Sequence, residues 1–200
     1  MALVAPKGKS NIPPIEPKTY QAVCYGIVDL GTHYSEKYKK ESSQVAILWE
    51  LPKCRVTTEH DSYSRVINGM YTFSYAPKSN LRKMLDSWRG KVMTKEEENT
   101  FDLFTMLGKN CLLQVVNKEG GDGKVYSNVG NVTALMDEMV ELVIERPRVE
   151  YAMVDNGWDV PATVPDWLIE KIKQSKEFIN YQPTITETEP EAEADDDIPF

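Results

Sequence analysis

Between Tyr34 and Lys40 two phenol rings, Tyr34 and Tyr38, stand among Lys37, Lys39 and Lys40. Cations and flat apolar rings in one short stretch suit a flexible polyanion that also carries unstacked rings, because they supply charge for its backbone and surfaces for its bases. A solvated charged loop has the same composition, so each lysine taken singly reads equally well as a surface residue. A second group of rings, Tyr71, Phe73 and Tyr75, alternates with Thr72 and Ser74, which puts all three on one face of a strand. Such a stripe is either a stacking surface or core. Lys53, Arg55 and Arg65 offer further cations from the neighbouring sheet region, and Lys124 and Tyr126 lie beside a glycine-rich turn. Trp49 shares the more apolar side of its strand with Val45 and Ile47 and is assigned to the core, as is Trp88.

Catalytic chemistry finds little to work with. His33 and His60 are the only histidines, and Glu59-His60-Asp61 reads as a polar turn with no matching ligand set elsewhere. Gly120-Gly121-Asp122-Gly123-Lys124 lacks the spacing of a phosphate-binding loop and leads into a strand. Cys24, Cys54 and Cys111 are odd in number and far apart, which fits reduced thiols better than a disulfide framework or a zinc site. The expectation is a protein without metal or cofactor that is not an enzyme.

With 41% hydrophobic and 27% charged residues the body is that of an ordinary soluble protein. No run approaches a membrane span, and residues 1–15 lack the apolar segment of a signal peptide, so a cytoplasmic location is expected. Net charge is −8, the reverse of the usual nucleic-acid footprint. The charge is segregated, however. Residues 1–130 hold 18 Lys and Arg against 14 Asp and Glu, residues 131–182 hold 5 against 10, and residues 183–200 hold 0 against 7. A positive first part can take a polyanion while the acidic parts repel it.

The elements that must position these groups follow from periodicity. Residues 1–18, with three lysines among four prolines, form a flexible arm. Tyr20–Leu30 is a first strand with Gly26 as a bend or bulge, ended by Gly31, and residues 32–43 are an exposed loop. Gln44–Leu51 is a second strand closed by Pro52. Arg55–Thr58, the turn 59–62 and Ser64–Ala76 make up the third strand system. The period then changes to about 3.6, with Leu81, Met84, Leu85 and Trp88 on one stripe, Ser79 as N-cap and Gly90 as stop. A second helical piece spans Lys95–Leu107. Asn110–Asn117 and Val125–Ala134 form a hairpin around the glycine turn. Strand, strand, long strand, helix, hairpin is the order of an OB-fold, a five-stranded barrel with its helix between strands three and four. Its domain is expected over residues 19–135. Residues 136–182 form an extension that begins with a short strand or helix and carries a helix over 165–178, with Trp167, Leu168, Ile172 and Ser175 on one face; this helix caps the barrel or meets another subunit in a homo-oligomer. Residues 183–200 cannot bury enough apolar surface to offset ordering entropy, and are expected to form a disordered acidic tail.

Asp195-Asp196-Asp197-Ile198-Pro199-Phe200, ending that acidic run, resembles the C-terminal tip of bacterial single-stranded DNA-binding proteins, whose tails recruit replication, recombination and repair enzymes. Residues 20–177 resemble a family of phage single-stranded DNA-binding proteins in Gly26–Thr32, Trp49-Glu50-Leu51, Ser79–Lys91, Phe101–Lys109 and Val164–Ser175. The resemblance implies a protein that coats and protects single strands with little sequence preference and holds partner enzymes through residues 195–200. The rival expectation is an acidic decoy that captures host replication enzymes through the tail without binding DNA. Tyr34–Lys40 is the first candidate contact, and Tyr71, Phe73 and Tyr75 are the second.

Overall fold

The structure, a computed structural model, describes residues 13–36, 38–59, 61–153 and 158–181. Lys37, His60 and the whole acidic tail with its tip at 195–200 lie outside the described residues. The chain is mainly β. Strands β1 (Thr19–Ser35), β2 (Lys40–Thr57) and β3 (Ser62–Thr72) precede helix α1 (Asn80–Arg89), a short helix α2 (Glu97–Thr100) and a 3-10 turn at Leu103–Met106. Then come β4 (Asn110–Glu119), β5 (Val125–Thr133), β6 (Val149–Tyr151), α3 (Asp166–Ile172) and α4 (Lys176–Asn180). Among the described residues no helix is long and apolar enough to cross a membrane.

One sheet takes in all six strands. Its path is β3-β2-β1-β4-β5, antiparallel throughout, and β6 lies parallel to β1 along Gly26–Val28. The sheet is open: β3 and β5 approach within 8 Å at Cα, but no ladder joins them among the described residues. Helix α1 stands between β3 and β4, as the periodicity predicts. Ser79 Oγ accepts from the Arg82 N–H at 3.2 Å and Gly90 ends the helix, so the apolar stripe is held between two caps.

Two strand boundaries move outward. β1 runs past Gly31 to Ser35, and β2 runs past Pro52 to Thr57, because each carries a bulge at the breaker, between Asp29 and Gly31 and between Leu51 and Arg55. A bulge suspends the ladder locally, which is the position where a strand tolerates Pro or an irregular Gly. Most of the loop expected at 32–43 is therefore hairpin, with Glu36, Tyr38 and Lys39 in its turn.

Core lies on both sides of β1 and β2. On one side Val45, Ile47, Trp49 and Leu51 pack with Leu81, Leu85 and Trp88 of α1, the two indoles 5.7 Å apart. On the other side Val28, Leu30, Ala46 and Leu48 are covered by Val149, Tyr151, Val164, Leu168 and Ile172 of the extension. Full burial of Leu168 and Ile172 contributes about 1.5–3 kcal/mol each. The single helix expected over 165–178 is two helices. Ser175, itself buried, accepts from the Phe178 N–H at 3.2 Å and starts α4, and Trp167 faces outward at 43% exposure. Polar anchors hold the extension as well. The buried Glu50 carboxylate accepts from Ser64 Oγ and from the Glu145 N–H at 2.9 Å, and Arg55 grips both oxygens of Glu145 at 2.8 Å. The arm's described end is also docked: Ile15 is buried and its N–H reaches Ser127 Oγ at 2.8 Å.

Candidate nucleic-acid interface

The β1–β2 hairpin projects Tyr34 and Tyr38, 56% and 65% exposed. Its turn is closed by the Tyr38 N–H on Ser35 O at 3.2 Å, and Lys39 takes a left-handed φ of 48°. That conformation is uncommon for a residue with a Cβ and fixes where Tyr38 and Lys40 leave the turn. Below them, Ser42 and Gln44 of β2, Met70–Thr72 of β3, Ser74, and Lys78–Asn80 before and at the start of α1 enclose an open groove of about 570 Å³ that Tyr38 and Lys40 also line. A second groove of about 320 Å³ adjoins it between β3, α1 and β5, lined by Tyr71, Asn80, Lys83, Met84 and residues 129–132. Tyr71 and Asn80 belong to both, so the two form one path along the free edge of β3.

The charge of this path is distinctive. Neither groove is lined by any Asp or Glu, in a chain with 31 acids. Lys40, Lys78 and Lys83 line it, and none of the three has an ion-pair partner among the described residues. Several cations elsewhere are engaged. Arg82 binds Asp86 and Glu98, Arg89 binds Glu97, and Lys176 binds Glu41 at 2.6 Å. Unpaired lysines around an acid-free groove suit a ligand that brings its own negative charge.

The expected site residues divide accordingly. Tyr38, Lys40 and Tyr71 meet in the first groove, with Tyr34 and Lys39 on the hairpin beside it. Lys37 lies outside the described residues. Phe73 keeps 45% exposure next to the groove, whereas Tyr75 turns into the core, edge-on to Phe73 and Phe101 at 5.7 Å each. Burial pushes the phenols of both Tyr71 and Tyr75 up to about 12. Lys53, Arg55, Arg65, Lys124 and Tyr126 line neither groove. Lys53 reaches Gln21 Oε1 at 3.3 Å, Arg55 is committed to Glu145 and Ser62, and Arg65 donates to Pro13 O at 2.8 Å. Lys124 and the Tyr126 hydroxyl both contact Asp122, at 3.3 and 2.7 Å, a self-contained turn.

Lys78, Asn80, Lys83 and Asn131 are additions that sequence reasoning missed. A signal for Lys83 exists: it falls off the Leu81, Met84, Leu85 and Trp88 stripe and so must face away from the core. Asn131 carries no such signal, since only the approach of β5 to β3 brings it to the path. Compared with models of known protein families the chain matches none, and no curated protein matches it.

Proposed function

We propose that this protein binds single-stranded DNA along the path from the β1–β2 hairpin to the edge of β3, and coats and protects it during replication and recombination. The carrying observation is the pair of adjoining acid-free grooves with Lys40, Lys78 and Lys83 unpaired at their walls and Tyr38 and Phe73 exposed beside them. Lysines serve the phosphates and rings serve the bases, a combination tolerant of sequence because every base has a flat face. Strand order supports the reading further. β3-β2-β1-β4-β5 with a helix between β3 and β4 is the order of an OB-fold cut open between β3 and β5, and the β2–β3 face with the β1–β2 loop is where such folds hold oligonucleotides. Here the extension covers the Ala46 and Leu48 part of that face, which leaves the β3 side for a ligand. The acidic tail supplies the second activity, recruitment of replication and recombination enzymes through residues 195–200. A basic-rimmed apolar pocket on a partner would take the Ile198-Pro199-Phe200 plug and the carboxylates of Asp195–Asp197.

Fluorescence titration with oligo-dT and with duplex of the same length tests the reading. Binding of the single strand well ahead of the duplex is expected. Duplex preference overturns it, and capture of partner enzymes without any DNA binding favours the decoy.

A further inference from the structure

We propose that the seam between β3 and β5 is a second nucleotide subsite, in which Asn80 and Asn131 hydrogen-bond an unstacked base and Lys83 holds the adjoining phosphate. The inference rests on the single-stranded DNA reading and extends it to a stretch of surface around the edge of β3. Three observations carry it. First, β5 bulges there: Asn131 pairs with Gln114 and Val129 with Val115, which leaves Gly130 between them without a partner on β4. A Cβ on Gly130 would meet Val116 Cγ1 at 2.8 Å and Gln114 O at 3.3 Å, so the bulge is a glycine position and its bare backbone lines the groove. Second, the side-chain amides of Asn80 and Asn131, both exposed, have no hydrogen-bond partner among the described residues, and each offers donors and an acceptor to a base edge. Third, the seam is continuous with the first groove through Tyr71 and Asn80, so a strand leaving Lys78 arrives beside Lys83.

Size selects the occupant. An inserted peptide strand would need about 10 Å between β3 and β5, two inter-strand spacings. The two strands approach within 8 Å, which rules out pairing on both sides at that point. The volume of about 320 Å³ lies at the small end of ligand sites and suits a single base with its sugar. An acidic peptide is the competing occupant, since Lys83 would attract it too.

The test uses the full chain and a ladder of oligo-dT lengths, comparing wild type with Asn131→Ala and with Lys83→Ala, at two positions that line the seam and not the first groove. The shortest oligonucleotides, held in the first groove, should bind all three proteins alike. Longer ones that reach the seam should bind Asn131→Ala about 5- to 150-fold more weakly and Lys83→Ala more weakly as well, with the melting temperature unchanged. Loss of the same factor at every length, or at none, overturns the subsite while leaving the DNA-binding reading in place. If wild type binds no oligonucleotide, both fall. If the variants instead lose affinity only for a free peptide of the sequence of residues 187–200, the seam is a peptide site and the inference is wrong.

Discussion

Lys78 and Lys83 sit one before and four after the N-cap Ser79, and both project from the α1 end of the molecule into the acid-free path. Each phosphate neutralised on a single strand contributes about −0.7 to the slope of log affinity against log salt. Lys78→Ala should therefore flatten that slope by about 0.7 and weaken binding at low salt, as salt-series titrations would show. Tyr38→Ala should cost about 1–3 kcal/mol of binding if the ring stacks on a base, with stability little changed because the ring is 65% exposed. Tyr75→Ala should behave in the opposite way, destabilising the fold through its contacts with Phe101 and Phe73. The thiols separate as well. Burial pushes Cys24 up to about 12 and Cys111 also upward, while Cys54 is only half-buried. Native protein should accordingly show one reagent-accessible thiol, removed by Cys54→Ser, and three after unfolding.

The extension and the α1–α2 corner are elements held by charge as much as by packing. Glu50 has no exposure, and its oxygens serve Ser64 Oγ, the Glu145 and Arg146 N–H groups, and the Arg146 guanidinium at 3.8 Å. Glu50→Ala strands those donors, so urea unfolding should show a loss of about 2–4 kcal/mol. At the corner, the Thr94 N–H and then Arg89 hold the Glu97 carboxyl at about 2, from an ordinary 4.5. The sign follows: a carboxyl depressed in the folded state contributes fully above about 4.5, and that contribution is lost as pH falls toward 2. Glu97→Gln should remove this part of the acid sensitivity. Elements differ in how far they could be read from sequence. α1 was legible because four apolar residues at helical spacing, a serine cap and a glycine stop agree with one another. Pro52 and Gly31 misled, since a breaker inside a bulge looks the same in sequence as a breaker at a strand end. The break at Ser175 was hidden because a buried serine cap continues the apolar face of Leu168 and Ile172. In the candidate site the hairpin rings and Lys40 were legible from local composition. Lys53, Arg55 and Arg65 lie outside the path, which sequence hides because the partners that engage them, Gln21, Glu145 and the Pro13 carbonyl, lie 32 to 90 residues away along the chain.

At the scale of the whole molecule, acid and base are arranged so that a protein of net charge −8 still presents one path without carboxylates. The extension spends part of its acid internally, Glu145 on Arg55 and Glu177 on the Thr32 N–H at 2.7 Å. On the proposed reading, the seven acids of residues 183–200 form a separate block that would compete with DNA for the lysines and be freed for partners when DNA is bound. Deleting residues 187–200 should leave or raise oligo-dT affinity while abolishing capture of tail-binding enzymes in a pull-down; lowered DNA affinity would argue against that arrangement.

The most direct measurement of the central claim is the salt dependence of oligo-dT binding by wild type and by Lys40→Ala/Lys78→Ala/Lys83→Ala. The account predicts a slope flattened by about 2 in the triple variant, at about −0.7 for each of three lost phosphate contacts, with folding unaffected. An unchanged slope in a folded triple variant would show that single-stranded DNA, if bound, lies somewhere other than this path.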